Sequence, residues 1–87
     1  MTDLDIRRRR ALYRAQHRGT KEMDWLLGRY AETNLVDMED GALSRFEQLL
    51  SLPDPELQTW IMSGDLPETS ELTELISRIR HHHGLGQ

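Results

Sequence analysis

His17-Arg18-Gly19-Thr20-Lys21-Glu22-Met23-Asp24 is a charged corner between two helical runs, and its reading decides the fold. Upstream, Leu4 to His17 reads as a basic helix; downstream, Lys21 to Asn34 reads as an amphipathic one. Gly19 sits where the first helix must stop, and glycine takes a left-handed backbone without a Cβ penalty. Thr20 is placed to cap the second helix by accepting from its free first-turn N–H groups. Glu22, in that first turn, is favoured by the positive end of the helix dipole. The expected result is a corner that presents Arg18 and Glu22, four residues apart, on either side of a bare backbone at Gly19.

Outward from the corner, apolar spacing predicts further helices. In the first helix Leu4, Ala11, Leu12 and Ala15 share a face. Arg7 to Arg10 are consecutive and, at about 100° per residue, cannot share one. Arg8 falls on the apolar face and is expected to lay its methylenes along the core and send its head to water. Thr2-x-x-Asp5 at the start of this helix is a variant of the capping box. In the second helix Met23, Leu26, Leu27, Tyr30 and Ala31 follow the i, i+3, i+4, i+7, i+8 pattern of a buried stripe. Trp25 lies off that stripe and is expected to cover a neighbouring helix rather than stand exposed. Gly28 is expected to mark a close helix crossing.

Asp37 reads as the cap of a third helix that runs to about Leu52 with Leu43, Phe46, Leu49 and Leu50 inside. Asp54-Pro55 reads as a cap followed by proline at the first helical position, where a missing N–H is no loss. That fourth helix, about Pro55 to Ser63, buries Leu57, Trp60 and Ile61, and Gly64 closes it. Thr69 or Ser70 caps a fifth, about Ser70 to His82, with Leu72, Leu75, Ile76 and Ile79 as its stripe. The tail from His81 is expected to fray. No strand pattern or repeat competes, so the fold class is all-α, a small single-domain bundle of five short helices.

Composition narrows the function. Eighty-seven residues with 37% hydrophobic content suit a thin bundle and disfavour a deep catalytic cavity. Without cysteine there is no disulfide and no thiolate metal site, and a reducing compartment is compatible. No apolar run approaches the ~20 residues of a membrane span, and the N-terminus lacks a signal-peptide core; a cytoplasmic protein is expected. Residues 1–30 hold eight Lys/Arg against four Asp/Glu, and residues 31–87 hold three against eleven, so a net of +4 is joined to a net of −8. Such polarity suggests a docking face and speaks against a uniformly nucleic-acid-binding surface.

Chemistry-bearing clusters are few. His81, His82 and His83 are adjacent, point around a helix and have no partner at ligand spacing, so no metal site is expected. His17 has no oriented partner that would make it a base, and no nucleophile–base spacing or phosphate-cradling loop occurs. No catalysis is assigned. A helix-turn-helix reading finds no recognition helix rich in Arg, Lys, Asn or Gln.

Two segments carry a resemblance. Arg18-Gly19-x-x-Glu22 followed by Met23-Asp24 is similar to the Arg-Gly-x-x-Glu signature of the succinate dehydrogenase assembly factors, the FAD assembly factors or flavinators. Leu49-Leu50-x-x-Pro53-Asp54-Pro55-Glu56-Leu57-x-x-Trp60-Ile61-Met62 resembles that family's Leu-Leu, Asp-Pro-x-Leu and Trp-(Leu/Ile)-Met segment. Thr20 departs from the pattern, since it stands where the family often has a bulky apolar residue, commonly Met. The resemblance implies a chaperone-like factor that binds the flavoprotein subunit of succinate dehydrogenase, and also of fumarate reductase, and promotes covalent attachment of FAD to a client histidine. It implies that FAD belongs to the client and is not held tightly by this chain, and that the free protein is a monomer. It further implies partner-binding roles for His17, Arg18, Gly19, Glu22 and Asp24, with Arg18 bonding acceptors on the client and Glu22 pairing with a cationic or N–H group there. From the residues alone, a small basic-ended helical module that binds nucleic acid, or a general adaptor, remains the alternative.

Overall fold

The computed structural model describes residues 2–65 and 71–85. Its first helix, α1 (Asp3–Gln16), starts because Thr2 and Asp5 cap each other's backbone. The Thr2 hydroxyl accepts from the Asp5 N–H and the Asp5 carboxylate accepts from the Thr2 N–H, both at 3.2 Å. These bonds hold the Asp5 carboxyl below the ordinary aspartate range, the backbone N–H of Thr2 contributing most. Ala11 and Ala15 are buried, and their small side chains let the second helix, α2 (Lys21–Asn34), approach closely. Gly28 marks the crossing as expected: a Cβ there would come within 3.2 Å of Gln16 Cγ and 3.5 Å of its Cα.

Beyond α2 the chain departs from the sequence reading. Asp37 does not cap a helix; it ends a 3₁₀ turn (Leu35–Asp37), and Glu39 precedes α3 (Asp40–Leu50). The tighter turn lets Leu35 and Met38, three apart, both enter the core. Arg8 is part of the same arrangement. Its head does not run to water: Nε and Nη2 donate to the Met38 carbonyl at 3.1 and 2.7 Å, and Asp5 and Glu39 flank it. Arg7 ties α1 to α3 through Asp40 and Glu47.

The fourth helix, α4 (Asp54–Ser63), begins one residue earlier than expected, with Pro53 as its cap residue and Pro55 inside the first turn. Asp54 is thus not the cap, and its carboxylate is free for another use. Gly64 closes α4 in a left-handed conformation, φ 76°. The fifth helix, α5 (Thr73–His82), follows; the expected caps Thr69 and Ser70 lie outside the described residues. The described part of the tail is packed rather than frayed. His83 Nε2–H donates to the Leu26 carbonyl at 2.7 Å, and Arg80 and Leu85 exchange bonds at 2.8 and 2.9 Å around Gly84. Leu85 joins the core margin.

Eighteen buried apolar residues from every element, centred on Met23, Leu27, Phe46, Leu57 and Ile76, form one core. Trp25 is outside it: the indole is 53% exposed and covered on one side by His83, ring centroids 4.5 Å apart. Among the described residues all regular structure is helical, with five α-helices. No helix there is long and apolar enough to cross a membrane.

Candidate functional site

The corner between α1 and α2 is built by three interactions. Thr20, extended at φ −131° and ψ 158°, accepts from the Met23 N–H at 3.2 Å and starts α2. Asp24, one turn into α2, accepts from the backbone N–H of Arg18. Asp54, at the start of α4, takes the rest: Oδ1 accepts from Arg18 Nε at 2.8 Å and Nη2 at 2.7 Å, while Oδ2 accepts from the Gly19 N–H at 2.9 Å. The Arg18 guanidinium also donates to the Leu50 carbonyl at 2.5 Å and the Leu52 carbonyl at 2.8 Å, satisfying the end of α3.

Two sequence expectations change here. Arg18 does not project toward solvent. Its side chain is 11% exposed, and each guanidinium nitrogen has an acceptor within the chain, so it is a staple among α1, α3 and α4. Gly19 is not left-handed; among the described residues only Gly64 and Gly84 have positive φ. Its requirement is space, since a Cβ would stand 3.1 Å from Asp54 Oδ2. The first helix ends instead at His17, φ −129° and ψ 58°.

The corner exposes His17, Gly19, Thr20, Lys21 and Glu22. Glu22 has one long bond, accepting from Gln58 Nε2 at 3.3 Å, and its carboxylate is otherwise in solvent. His17 stacks on Tyr13, ring centroids 4.0 Å apart and planes 20° from parallel, with Nδ1 2.8 Å from the Tyr13 carbonyl oxygen. Of the five residues read from the sequence, the structure brings all to one corner but divides their parts: Arg18 and Asp24 hold it together, and His17, Gly19 and Glu22 face out.

Sequence reasoning missed Asp54 and Tyr13. Asp54 lay in the second segment that carries the resemblance but had a sufficient local explanation as a cap. Tyr13, i−4 to His17, is 63% exposed, which no periodicity argument required. Elsewhere, a cleft of about 330 Å³ lined by Tyr30, Asn34, Met38, Arg45, Leu75 and Arg78 shares no residue with the corner. Burial there pushes the Tyr30 phenol up, with Arg78 opposing it. No group of three metal-ligating side chains converges among the described residues.

Fold and site together define a small all-α protein in which Arg18, Asp24 and Asp54 hold one surface corner in place. The family described as flavinator of succinate dehydrogenase matches residues 9–83, and the chain belongs to that family. It is 45% identical over 69 residues to the FAD assembly factor of Acetobacter pasteurianus, covering 79% of this chain and 62% of that protein. It is 32% identical over 83 residues to the mitochondrial succinate dehydrogenase assembly factor 2 of Dictyostelium discoideum, covering 94% and 58%. It is 31% identical over 83 residues to the FAD assembly factor of Acinetobacter baylyi, covering 94% and 96%. The chain thus spans about three-fifths of the first two relatives and nearly all of the third. No solved structure matches it significantly.

Proposed function

We propose that this chain is an assembly factor that binds the flavoprotein subunit of succinate dehydrogenase, and of fumarate reductase, and promotes covalent attachment of FAD. The observation that carries this reading is the Asp54-held corner, which sets Gly19 and Glu22 at the surface on a backbone tied at both ends. Family membership supplies the class of client. The client provides the flavin and the histidine that it joins; this chain does no bond chemistry and binds no FAD tightly. A rigid bundle promotes such a reaction by stabilising the client conformation in which the two reactants are aligned, which lowers the barrier through positioning.

Within the corner, Gly19 lets the client surface approach the backbone, and Glu22 pairs with a cationic or N–H group on the client. Arg18 and Asp24 act by positioning. The free protein is a monomer of the cytoplasm that forms a one-to-one complex with its client.

The test is covalent flavin fluorescence of the client flavoprotein subunit on a denaturing gel, expressed with and without this chain. The expected band depends on this chain and is lost with Glu22→Ala, a surface change that leaves the bundle folded. A band of equal brightness without the chain overturns the reading. An undiminished band with Glu22→Ala would show that the corner is not the docking site.

A further inference from the structure

Opposite its core-facing side, α1 carries a second stripe. Ile6, Arg9, Arg10, Tyr13, Arg14 and His17 follow at i, i+3, i+4, i+7, i+8 and i+11, spacing that sets them along one side of a helix. All six are exposed. Arg7 and Arg8 turn inward to carboxylates of α1, α3 and the residue before it, whereas Arg9, Arg10 and Arg14 make no ion pair or side-chain hydrogen bond among the described residues. Among the described residues these three guanidinium groups of α1 are unpaired, as are those of Arg29 and Arg45 elsewhere, in a chain with 15 Asp and Glu residues.

The stripe has the composition of a contact anchor rather than of a merely solvated face. Its cations are all arginine, the cation enriched at interfaces, whereas lysine is depleted there. Tyr13 is held against His17 by stacking, so the ring is ordered before any partner arrives and loses little rotamer freedom on contact. The stripe also runs into the corner: Tyr13, Arg14 and His17 line the same shallow depression as Gly19 and Asp54.

We infer that this stripe docks an acidic patch on the client flavoprotein, adjoining the contact made by Gly19 and Glu22; the inference rests on the proposed function. Charge selects the occupant. From Ile6 to His17 the stripe is roughly 16 Å long at helical rise. The rest of the molecule is acidic, with net −8 over residues 31–87. An extended polyanion such as duplex DNA or an anionic bilayer would overrun a stripe of that length and face the acidic remainder of the molecule. A compact acidic patch on a protein fits the stripe without that repulsion.

The test measures binding of the full chain to the purified client subunit at several salt concentrations, beside the flavin band. Arg10→Glu/Arg14→Glu is expected to weaken binding about tenfold or more at low salt and to flatten its salt dependence, with unchanged helicity. Tyr13→Ser is expected to weaken binding while leaving the salt dependence as in the wild type. If the wild type binds and flavinylates the client, and the double variant binds with the same affinity and salt dependence, the stripe is overturned and the corner stands. If the wild type neither binds nor flavinylates the client, both readings fall. Tighter binding of the wild type to phosphatidylserine vesicles or to duplex DNA than to the client would overturn the assigned occupant.

Discussion

Asp54 binds Arg18 and Gly19 at once: one carboxylate oxygen takes the guanidinium at 2.7 Å and the other takes the Gly19 N–H at 2.9 Å. Residues 36 and 35 positions apart in the chain thereby become a single unit, and the exposed corner inherits its shape from a carboxylate at the start of α4.

Breaking that pair from either side should cost both stability and function. Asp54→Ala strands a largely buried guanidinium, a loss of about 3 kcal/mol by comparison with broken buried pairs. Arg18→Lys should rescue little, because one ammonium cannot reach Asp54, Leu50 and Leu52 in the fork geometry of arginine. Urea unfolding of both variants, read beside client flavinylation, checks this. Wild-type stability in Asp54→Ala would mean that the contact is decorative.

Gly19→Ala should destabilise the free protein by about 1 kcal/mol. The cause is the 3.1 Å approach of the new Cβ to Asp54 Oδ2, a group that Arg18 prevents from moving aside. The penalty should therefore shrink in an Asp54→Ala background, a double-mutant cycle with non-zero coupling. Additive effects would remove the steric explanation of Gly19.

The α1 cap should be sensitive to acid. Asp5 has its carboxyl held below its ordinary value of 3.8 by bonds from Thr2, so protons bind more readily to the unfolded chain. Its contribution is present above that value and disappears as the pH falls through the lower folded-state value. The stability difference between wild type and Asp5→Asn should be constant near neutrality and narrow below pH 3.8. Carboxyl NMR titration of a Thr2→Ala variant should show Asp5 moving back up. A difference that persists unchanged into acid would mean that the carboxylate charge is not what caps the helix.

Gly64→Ala should cost about 1–2 kcal/mol from the left-handed backbone alone. The new Cβ would also lie 3.0 Å from the Arg80 guanidinium, which donates to the Ile61 carbonyl and to the Leu85 carbonyl. Faster amide exchange of Leu85 in this variant would register the released tail. Unchanged exchange there would separate the α4 stop from the docking of residues 83–85.

Much of the fold was legible because it is local. The limits of α2, Lys21 to Asn34, match the periodic stripe and the Thr20 cap, both of which act within one or two turns. The capping box of α1 and the left-handed stop at Gly64 were readable for the same reason. The 3₁₀ turn was not, because burying Leu35 and Met38 together depends on the core that α1 and α3 complete around them. The tail was misread because His83 is satisfied by the carbonyl of Leu26, 57 positions away.

The candidate site divides along the same line. The sequence by itself determined that residues 17–24 form the corner, because a helix stop, a cap and a second helix within eight residues leave the chain few ways to turn; it did not bring Asp54 there. Only the tertiary structure decided what each residue does there. An arginine and an aspartate far apart in sequence each have a sufficient local reading, one as an exposed charge and the other as a helix cap. Packing of α1, α3 and α4 brings them within 2.7 Å in a largely buried setting, where an unpaired charge is costly and a paired one sets geometry. That contact turns Arg18 from a surface group into a staple and leaves Gly19 and Glu22 as the face.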